Sequence, residues 1–274
     1  MNLPELPYYK LCILIPCYNN FEGLIKSIQS IDYLPGSYII IVVDDGSLMP
    51  VAIERMNGHF HTLPNVKIIR LLQNHGITKA LNTGLEFIYA NYAVQFIARL
   101  DCGDTCSPQR FYNQVAFFEK YPDVHLTGTW CYFKDTRSGK GYKYITPTHH
   151  DAIEREMYFR NVFIHPTVMW RVSGAGKFKY PEQYPCAEDY GLFYALISKI
   201  KSAVIDEYLV TCEINHAGVS ISNRSTQLKS RLKVVSFYGG KRVLYLMGAL
   251  KLGFLMIIPY RIIYSTKKLF YNTT

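Results

Sequence analysis

The chain has 274 residues, 49% of them hydrophobic and 19% charged, with a formal net charge of +9. That is a globular composition, long enough for one large core or two small ones. Its seven cysteines (12, 17, 102, 106, 131, 186 and 212) are odd in number and contain no C-x-x-C pair, which excludes a zinc ribbon and a disulfide framework. Free thiols fit a reducing cytoplasm. The opening MNLPELPYYK lacks the basic start and apolar run of a signal peptide, so an intracellular protein is expected.

The elements follow in chain order. Leu11–Pro16 is a short continuous apolar run, as in a buried parallel strand. Asn19 or Asn20 can cap the helix after it, with apolar residues at Phe21, Leu24, Ile25, Ile28 and Ile31 in helical spacing. Tyr38–Val43 and Val66–Leu71 read as the second and third strands. Thr78–Tyr89 reads as a helix with Leu81, Leu85 and Ile88 on one face. Val94–Ala98 is a fourth strand. Ser107-Pro108 is a cap and first-turn pair for a helix lined by Phe111, Val115 and Phe118, and Val124–Thr127 is a further strand. Residues 131–150, rich in Lys, Gly, Thr and His, are expected to be a surface loop. Thr167–Arg171 is expected as a strand, Asp189–Ile200 as a helix and Ala203–Val210 as another strand.

Strands alternating with helices imply βαβ units, a mostly parallel sheet and a ligand crevice beyond the strands' carboxyl ends. The polar clusters fall in those places. Cys17-Tyr18-Asn19-Asn20 follows the first strand, Asp44-Asp45-Gly46-Ser47 the second and Asp101-Cys102-Gly103-Asp104 the fourth. Asp44, Asp45, Asp101 and Asp104 therefore converge. Such a cluster repels itself unless a cation or a hydrogen-bond donor is present, and oxygen ligands suit Mg2+ or Mn2+. Asp-Asp-Gly-Ser is also a good turn. Cys102 and Cys106 read as packing residues, and His149-His150 as a solvated loop pair.

The tail has a different character. No acidic residue follows Glu213, while ten basic ones do: Arg224, Lys229, Arg231, Lys233, Lys241, Arg242, Lys251, Arg261, Lys267 and Lys268. Leu252–Ile258 is apolar but falls short of the ~20 residues that span a bilayer. Residues 225–274 read as amphipathic helices lying on an anionic membrane surface, or alternatively as a helix packed on the core with a solvated basic face. A nucleic acid is disfavoured, because no reading motif accompanies the charge. On the membrane reading, a chain cut near 225 is expected to be soluble.

The segments LCILIPCYNN, VVDDGS, QNHGITKALNTGLEF, FIARLDCGD, FIHPTVMWR, AEDYGLFYAL and YLVTCEINHAGVSIS, in this order over about 220 residues, resemble family 2 glycosyltransferases of the GT-A fold, in particular bacterial enzymes of O-antigen, capsule and other surface polysaccharides. The fold this implies is a Rossmann-like α/β domain over 1–224, a nucleotide-sugar half at 11–127 and an acceptor half at 128–224, followed by the helical tail. The activity it implies is inverting sugar transfer from a nucleotide-sugar, with UDP the expected base carrier, to a lipid-linked saccharide or other glycan at the cytoplasmic membrane face.

The resemblance also implies roles. Pro16 and Tyr18 border the base, Asp44 bonds it, and Ser47 lies near the ribose. Asn74, Gly76 and Lys79 form a loop near the diphosphate or sugar. Arg99 and Asp101 open the metal motif, with Asp104 and His216 as further ligands of Mn2+ or Mg2+. Glu188-Asp189 is the acidic pair, with Asp189 the general base. By position alone Asp189 is equally a helix-dipole contact. His165 and Trp130 belong to the expected acceptor side, or to the core. Gly103 stands where many relatives carry a second aspartate. Either Asp104 takes over, or the metal is held by fewer protein groups. Two other classes compete. A sugar nucleotidyltransferase would want a basic phosphate loop after the first strand, which CYNNFEG lacks, and an inactive nucleotide-sugar-binding subunit would keep the fold without the chemistry.

Overall fold

The computed structural model describes residues 5–214 and 223–258, so His216 and three of the tail's ten cations, Arg261, Lys267 and Lys268, lie outside the described residues. The strands are β1 (Tyr8–Cys17), β2 (Tyr38–Asp44), β3 (Val66–Arg70), β4 (Ala93–Arg99), β5 (Thr105–Cys106), β6 (Val124–Asp135), β7 (Gly141–Tyr144), β8 (Met169–Arg171) and β9 (Lys201–Ile214). The helices are α1 (Phe21–Gln29), α2 (Ile53–Met56), α3 (Ile77–Asn91), α4 (Arg110–Lys120), α5 (His150–Glu156), α6 (Val172–Ala175), α7 (Glu188–Ile197), α8 (Arg224–Tyr238) and α9 (Arg242–Ile257).

One mixed sheet runs β3-β2-β1-β4-β8-β6-β9-β5, with β7 paired to β6. The β3-β2-β1-β4 block is parallel, and so is β6–β9. Short β8 runs antiparallel to both β4 and β6 and joins the two blocks. The two-residue period of a strand sorts β1 cleanly. Cys12 and Leu14 enter the core on one face, and Leu11, Ile13 and Ile15 the core on the other. The second face is covered by Leu24, Ile25 and Ile28 of α1 and by Phe111, Val115 and Phe118 of α4. Asn20 caps α1, its Oδ1 accepting from Gly23 N at 3.1 Å.

Three expectations change. Residues 131–150 do not form one loop: β6 continues to Asp135 and turns back through β7, where Phe133 packs on Tyr142 and Tyr144. Alternating Tyr and Phe in this segment carried a strand signal that the Lys and Gly content obscured. Ser107 does not cap a backbone N–H with its side chain. Its hydroxyl contacts Gln109 Oε1, and α4 begins at Arg110. The tail, finally, is not separable at 225. Leu228, Val234, Val235 and Leu252 are buried in the same core as α3 and α7. At roughly 1.5–3 kcal/mol per buried apolar side chain, losing them would remove much of the ~5–15 kcal/mol that holds a domain together. Cutting the chain near 225 therefore removes part of the core.

Candidate active site

The carboxyl ends of β1, β2 and β4 lie side by side, with Cys17 opposite Asp44 and Leu14 opposite Arg99. Asp44 ends β2, Asp45 follows it, and both are buried. The Asp44 oxygens accept from Ser47 N at 3.0 Å and Val51 N at 2.9 Å. Those of Asp45 accept from His75 N and Gly76 N, each at 2.9 Å. Four backbone N–H groups thus hydrogen-bond the oxygens of two of the four clustered carboxylates and stabilise their charged form.

The first pair fixes the loop after β2, and the second ties the 74–76 loop to it. Between them Gly46 has φ +72°, and a Cβ there would lie 2.3 Å from the Gln73 carbonyl carbon, so only glycine lets the two loops meet. Ser47 is buried and its hydroxyl accepts from Asn19 N at 2.8 Å. Asn19 (φ +50°) accepts from Leu48 N at 2.9 Å. This interlocking leaves Tyr18, Asn74 and Lys79 exposed on the rim, with Pro16 and Gly76 half-buried behind them.

Across the rim, Arg99 is fully buried. It pairs with Asp101, donates to the carbonyls of Leu14 and Leu100, and donates Nε–H to His165 Nε2 at 3.3 Å. An arginine N–H only donates, so Nε2 is the unprotonated ring nitrogen. Burial, then the Arg99 charge, pushes His165 down to about 3 and keeps it neutral. Nε2 also lies 2.8 Å from the Tyr180 hydroxyl, and Tyr180 is tied to Asn82 of α3 by backbone-to-amide bonds of 2.7 and 3.0 Å. His165 is therefore a bridge between the β4 end and the second half of the chain.

The Asp101-Cys102-Gly103-Asp104 segment is split. Asp101 is half-buried and pairs with Arg99. Asp104 is buried and turned inward, accepting from Glu213 N of β9 at 2.8 Å. Burial and then the Asp101 charge hold its carboxyl well above the usual range. Gly103 (φ +107°) faces Glu213, whose Oε2 lies 3.3 Å from where a Cβ would stand, and Glu213 pairs with Lys26. Among the described residues no group of three His, Cys, Asp or Glu side chains is arranged to hold a metal ion. Cys102 does more than pack: half-exposed, it lies 3.6 Å from Cys17 Sγ and contacts the Asn20 carbonyl at 3.0 Å.

Glu188 and Asp189 open α7. Glu188 is buried, with Oε2 unpartnered within the described residues, and Asp189 is half-buried. Burial, then the Asp189 charge, pushes Glu188 up to about 7, and burial pushes Asp189 up to about 6. Asp189 Oδ1 accepts from Tyr190 N at 2.7 Å, and Oδ2 from Asn161 Nδ2 at 2.9 Å. Arg231 of α8 lies over the Tyr190 ring at 5.3 Å, and its charge offsets part of the upward push on Asp189. The Asp101 charge also pushes both acidic groups upward.

The sequence reading missed Asn161, Arg231, Tyr180 and Glu213. None carries a local signal, since each acts on a residue 15 or more positions away in the chain. Asp45 had a signal in the order Asp-Asp-Gly itself.

The fold is thus a mixed, largely parallel sheet whose strand ends gather an acidic rim, with a carboxyl pair at the start of α7. The chain matches the glycosyl transferase family 2 pattern over residues 12–177, and it belongs to that family: it is a glycosyltransferase. It is 32% identical to the amylovoran biosynthesis glycosyltransferase AmsE of Erwinia amylovora over 197 residues, covering 68% of this chain and 69% of that one. It is 26% identical to the O-antigen biosynthesis glycosyltransferase WbnJ of Escherichia coli, covering 69% and 70% of the two chains. The fold is that of S. aureus TarS residues 1–349 in complex with UDP-GlcNAc (TM-score 0.64, 18% identity, 83% of this chain and 66% of that one). It is also that of the mannosyltransferase PcManGT from Pyrobaculum calidifontis in complex with GDP-Man and Mn2+ (TM-score 0.61, 15% identity, 83% and 63% of the two chains).

Proposed function

We propose that this glycosyltransferase inverts the anomeric centre of a nucleotide-sugar, UDP-linked by preference, in transferring the sugar to a lipid-linked saccharide or other glycan of a bacterial surface polysaccharide. The observation that carries this is the half-buried Asp189 carboxylate, fixed by Asn161 and Tyr190 N–H and pushed upward by burial and by the Asp101 charge. An acceptor hydroxyl is a poor nucleophile until a base takes its proton in the transition state. A carboxylate with its acid range raised to about 6 is still ionised at neutral pH and is a stronger base than an exposed aspartate. Asp189 takes the hydroxyl proton as the acceptor oxygen bonds to the anomeric carbon and the bond to the diphosphate breaks on the opposite face, which gives inversion. Glu188 stands beside it in the acidic pair, its own carboxyl raised by burial and then by the Asp189 charge.

On the donor side Tyr18 and Pro16 border the base, with Asp44 and Ser47 supporting the base and ribose through the loop they hold. Asn74, Gly76 and the exposed Lys79 face the diphosphate. Arg99 fixes Asp101. The oxygen donor at Asp101 fits Mn2+ or Mg2+, with His216 a further ligand from outside the described residues. Asp104, turned to β9, supports the motif from beneath. A divalent ion there would neutralise charge on the leaving diphosphate. The relatives named for amylovoran and O-antigen synthesis support the polysaccharide reading, and the basic tail supports a peripheral place on an anionic cytoplasmic membrane face. Among the described residues no helix is long and apolar enough to cross a membrane.

A thermal-shift screen of UDP- and GDP-sugars with and without Mn2+ tests the donor assignment, since a ligand that binds only the folded state stabilises it by mass action. Stabilisation by a UDP-sugar that grows with Mn2+ is the expected result. No shift with any nucleotide-sugar at millimolar concentration would overturn it.

A further inference from the structure

The outer face of α9 is apolar. Val243 (69% exposed), Leu246 (50%), Met247 (52%), Leu250 (75%), Phe254 (65%) and Ile257 (82%) recur three or four residues apart and form one stripe. The opposite side of the same helix is seated on the core. Leu252 is buried there, and a Cβ on Gly248 would meet the Tyr158 carbonyl oxygen at 2.2 Å. With its backbone pressed against Tyr158, the helix cannot roll the stripe inward. The arrangement is also braced at its ends. Arg224, at the start of α8, donates to the carbonyls of Leu255 and Ile258 at the end of α9. Lys241 N donates to Tyr158 Oη at 2.9 Å. Beside the stripe, Phe237 (76% exposed), Leu232 and Met256 line a shallow groove with Lys229 and Lys233 at its edge.

A contiguous apolar stripe of this size on a soluble surface marks a partner or a membrane. Its charge surroundings decide between them. Arg242 and Lys251 flank the stripe, Lys229 and Lys233 extend from α8, and the sequence has no acidic residue after Glu213. A second copy docked face to face would set these cations against their own duplicates, with no carboxylate in the segment to balance them. An anionic lipid surface balances them and accepts the stripe. The helix has 16 residues, too few to cross the hydrocarbon but suited to lying along its edge.

We propose that α9 lies in the headgroup–acyl boundary of an anionic bilayer, its Leu246–Leu250–Phe254 stripe among the acyl chains and Arg242, Lys229 and Lys233 at the lipid phosphates. This deepens the membrane part of the function proposed above and rests on it for its purpose. The inner side of the same hairpin delivers Arg231 to the Tyr190–Asp189 turn, so one rigid unit sets both the lipid plane and the base.

Flotation of the full chain with phosphatidylcholine vesicles, with and without phosphatidylglycerol, tests this against a Leu246→Glu/Leu250→Glu/Phe254→Glu variant. These side chains are outside the core, so the variant should keep its melting temperature and its rate on a water-soluble acceptor. The wild type should float with phosphatidylglycerol vesicles and more weakly with neutral ones. The variant's partitioning should fall on the order of tenfold or more. A variant that floats like the wild type would overturn the proposal. So would a wild type that stays unbound and is a dimer where the variant is a monomer. A wild type that floats by way of the stripe but transfers no sugar upholds the lipid surface and sinks the transfer mechanism instead.

Discussion

At the strand ends, charged groups are turned inward and satisfied by nearby backbone; on the α8–α9 hairpin, apolar groups are turned outward and face solvent. Asp44 and Asp45 each bind two N–H groups from loops within about thirty residues, and Gly46 lets those loops touch. The loops of the acidic rim are therefore fixed by backbone N–H bonds to these two carboxylates. The second region is assembled from distant pieces. Asp189 depends on Asn161 and on Arg231, the latter borne by the hairpin whose other side carries the apolar stripe. The difference teaches where each kind of damage should appear: in donor binding at the rim, in turnover and placement at the hairpin.

The largest effect should come from Asp189, the proposed base. Asp189→Asn should lower kcat by roughly 10²–10⁴-fold while nucleotide-sugar binding, followed by thermal shift, stays near wild type. Near-normal turnover would remove Asp189 from its role and erase the contrast.

Gly46→Ala should act on the other region. The Cβ has no room against Gln73 and the φ is positive, so a loss of roughly 1–3 kcal/mol is expected from strain of this kind. Melting temperature and donor affinity should fall together. An unchanged melting curve would show that the two loops are less tightly joined than their contact implies.

The pH profile separates base from frame. Burial raises Asp189 to about 6, so its basic form is present above that value and activity should fall as pH drops through it. Arg231 lowers that acid range, so Arg231→Met should move the acid limb of kcat to higher pH and Arg231→Lys should move it less. A uniform loss of rate with an unmoved limb would make Arg231 a packing residue only. The smallest effect on chemistry is that of the α9 stripe variant, whose rate on a soluble acceptor should stay unchanged.

Much of the first half of the chain was legible in the sequence. The apolar runs at Leu11–Pro16 and Tyr38–Val43 matched β1 and β2 because a strand buried on both faces needs an unbroken apolar run. The convergence of the polar clusters followed from the parallel order of those strands. The roles inside the cluster were not legible. Nothing in Asp44-Asp45 or Asp101-Cys102-Gly103-Asp104 says which carboxyl turns in, because that depends on which backbone N–H groups the neighbouring loops present. Asp104 turns to β9, more than a hundred residues away, and Asp101 to Arg99, two residues away.

The tail shows the same division. Its charge and its helical, apolar character were visible in the residues, and they suggested a segment apart from the fold. Packing decided otherwise: Leu228, Val234, Val235 and Leu252 fill the main core, and only the remaining apolar residues of α9 face outward. By itself the sequence determined the strand order's raw material, the acidic rim, the carboxyl pair at 188–189 and the one-sided charge, since these rest on local pattern and composition. The tertiary structure alone decided which carboxyls turn inward, what holds Asp189 and which face of α9 meets the outside, because each depends on contacts between segments whose separation in the chain leaves no periodic or local trace.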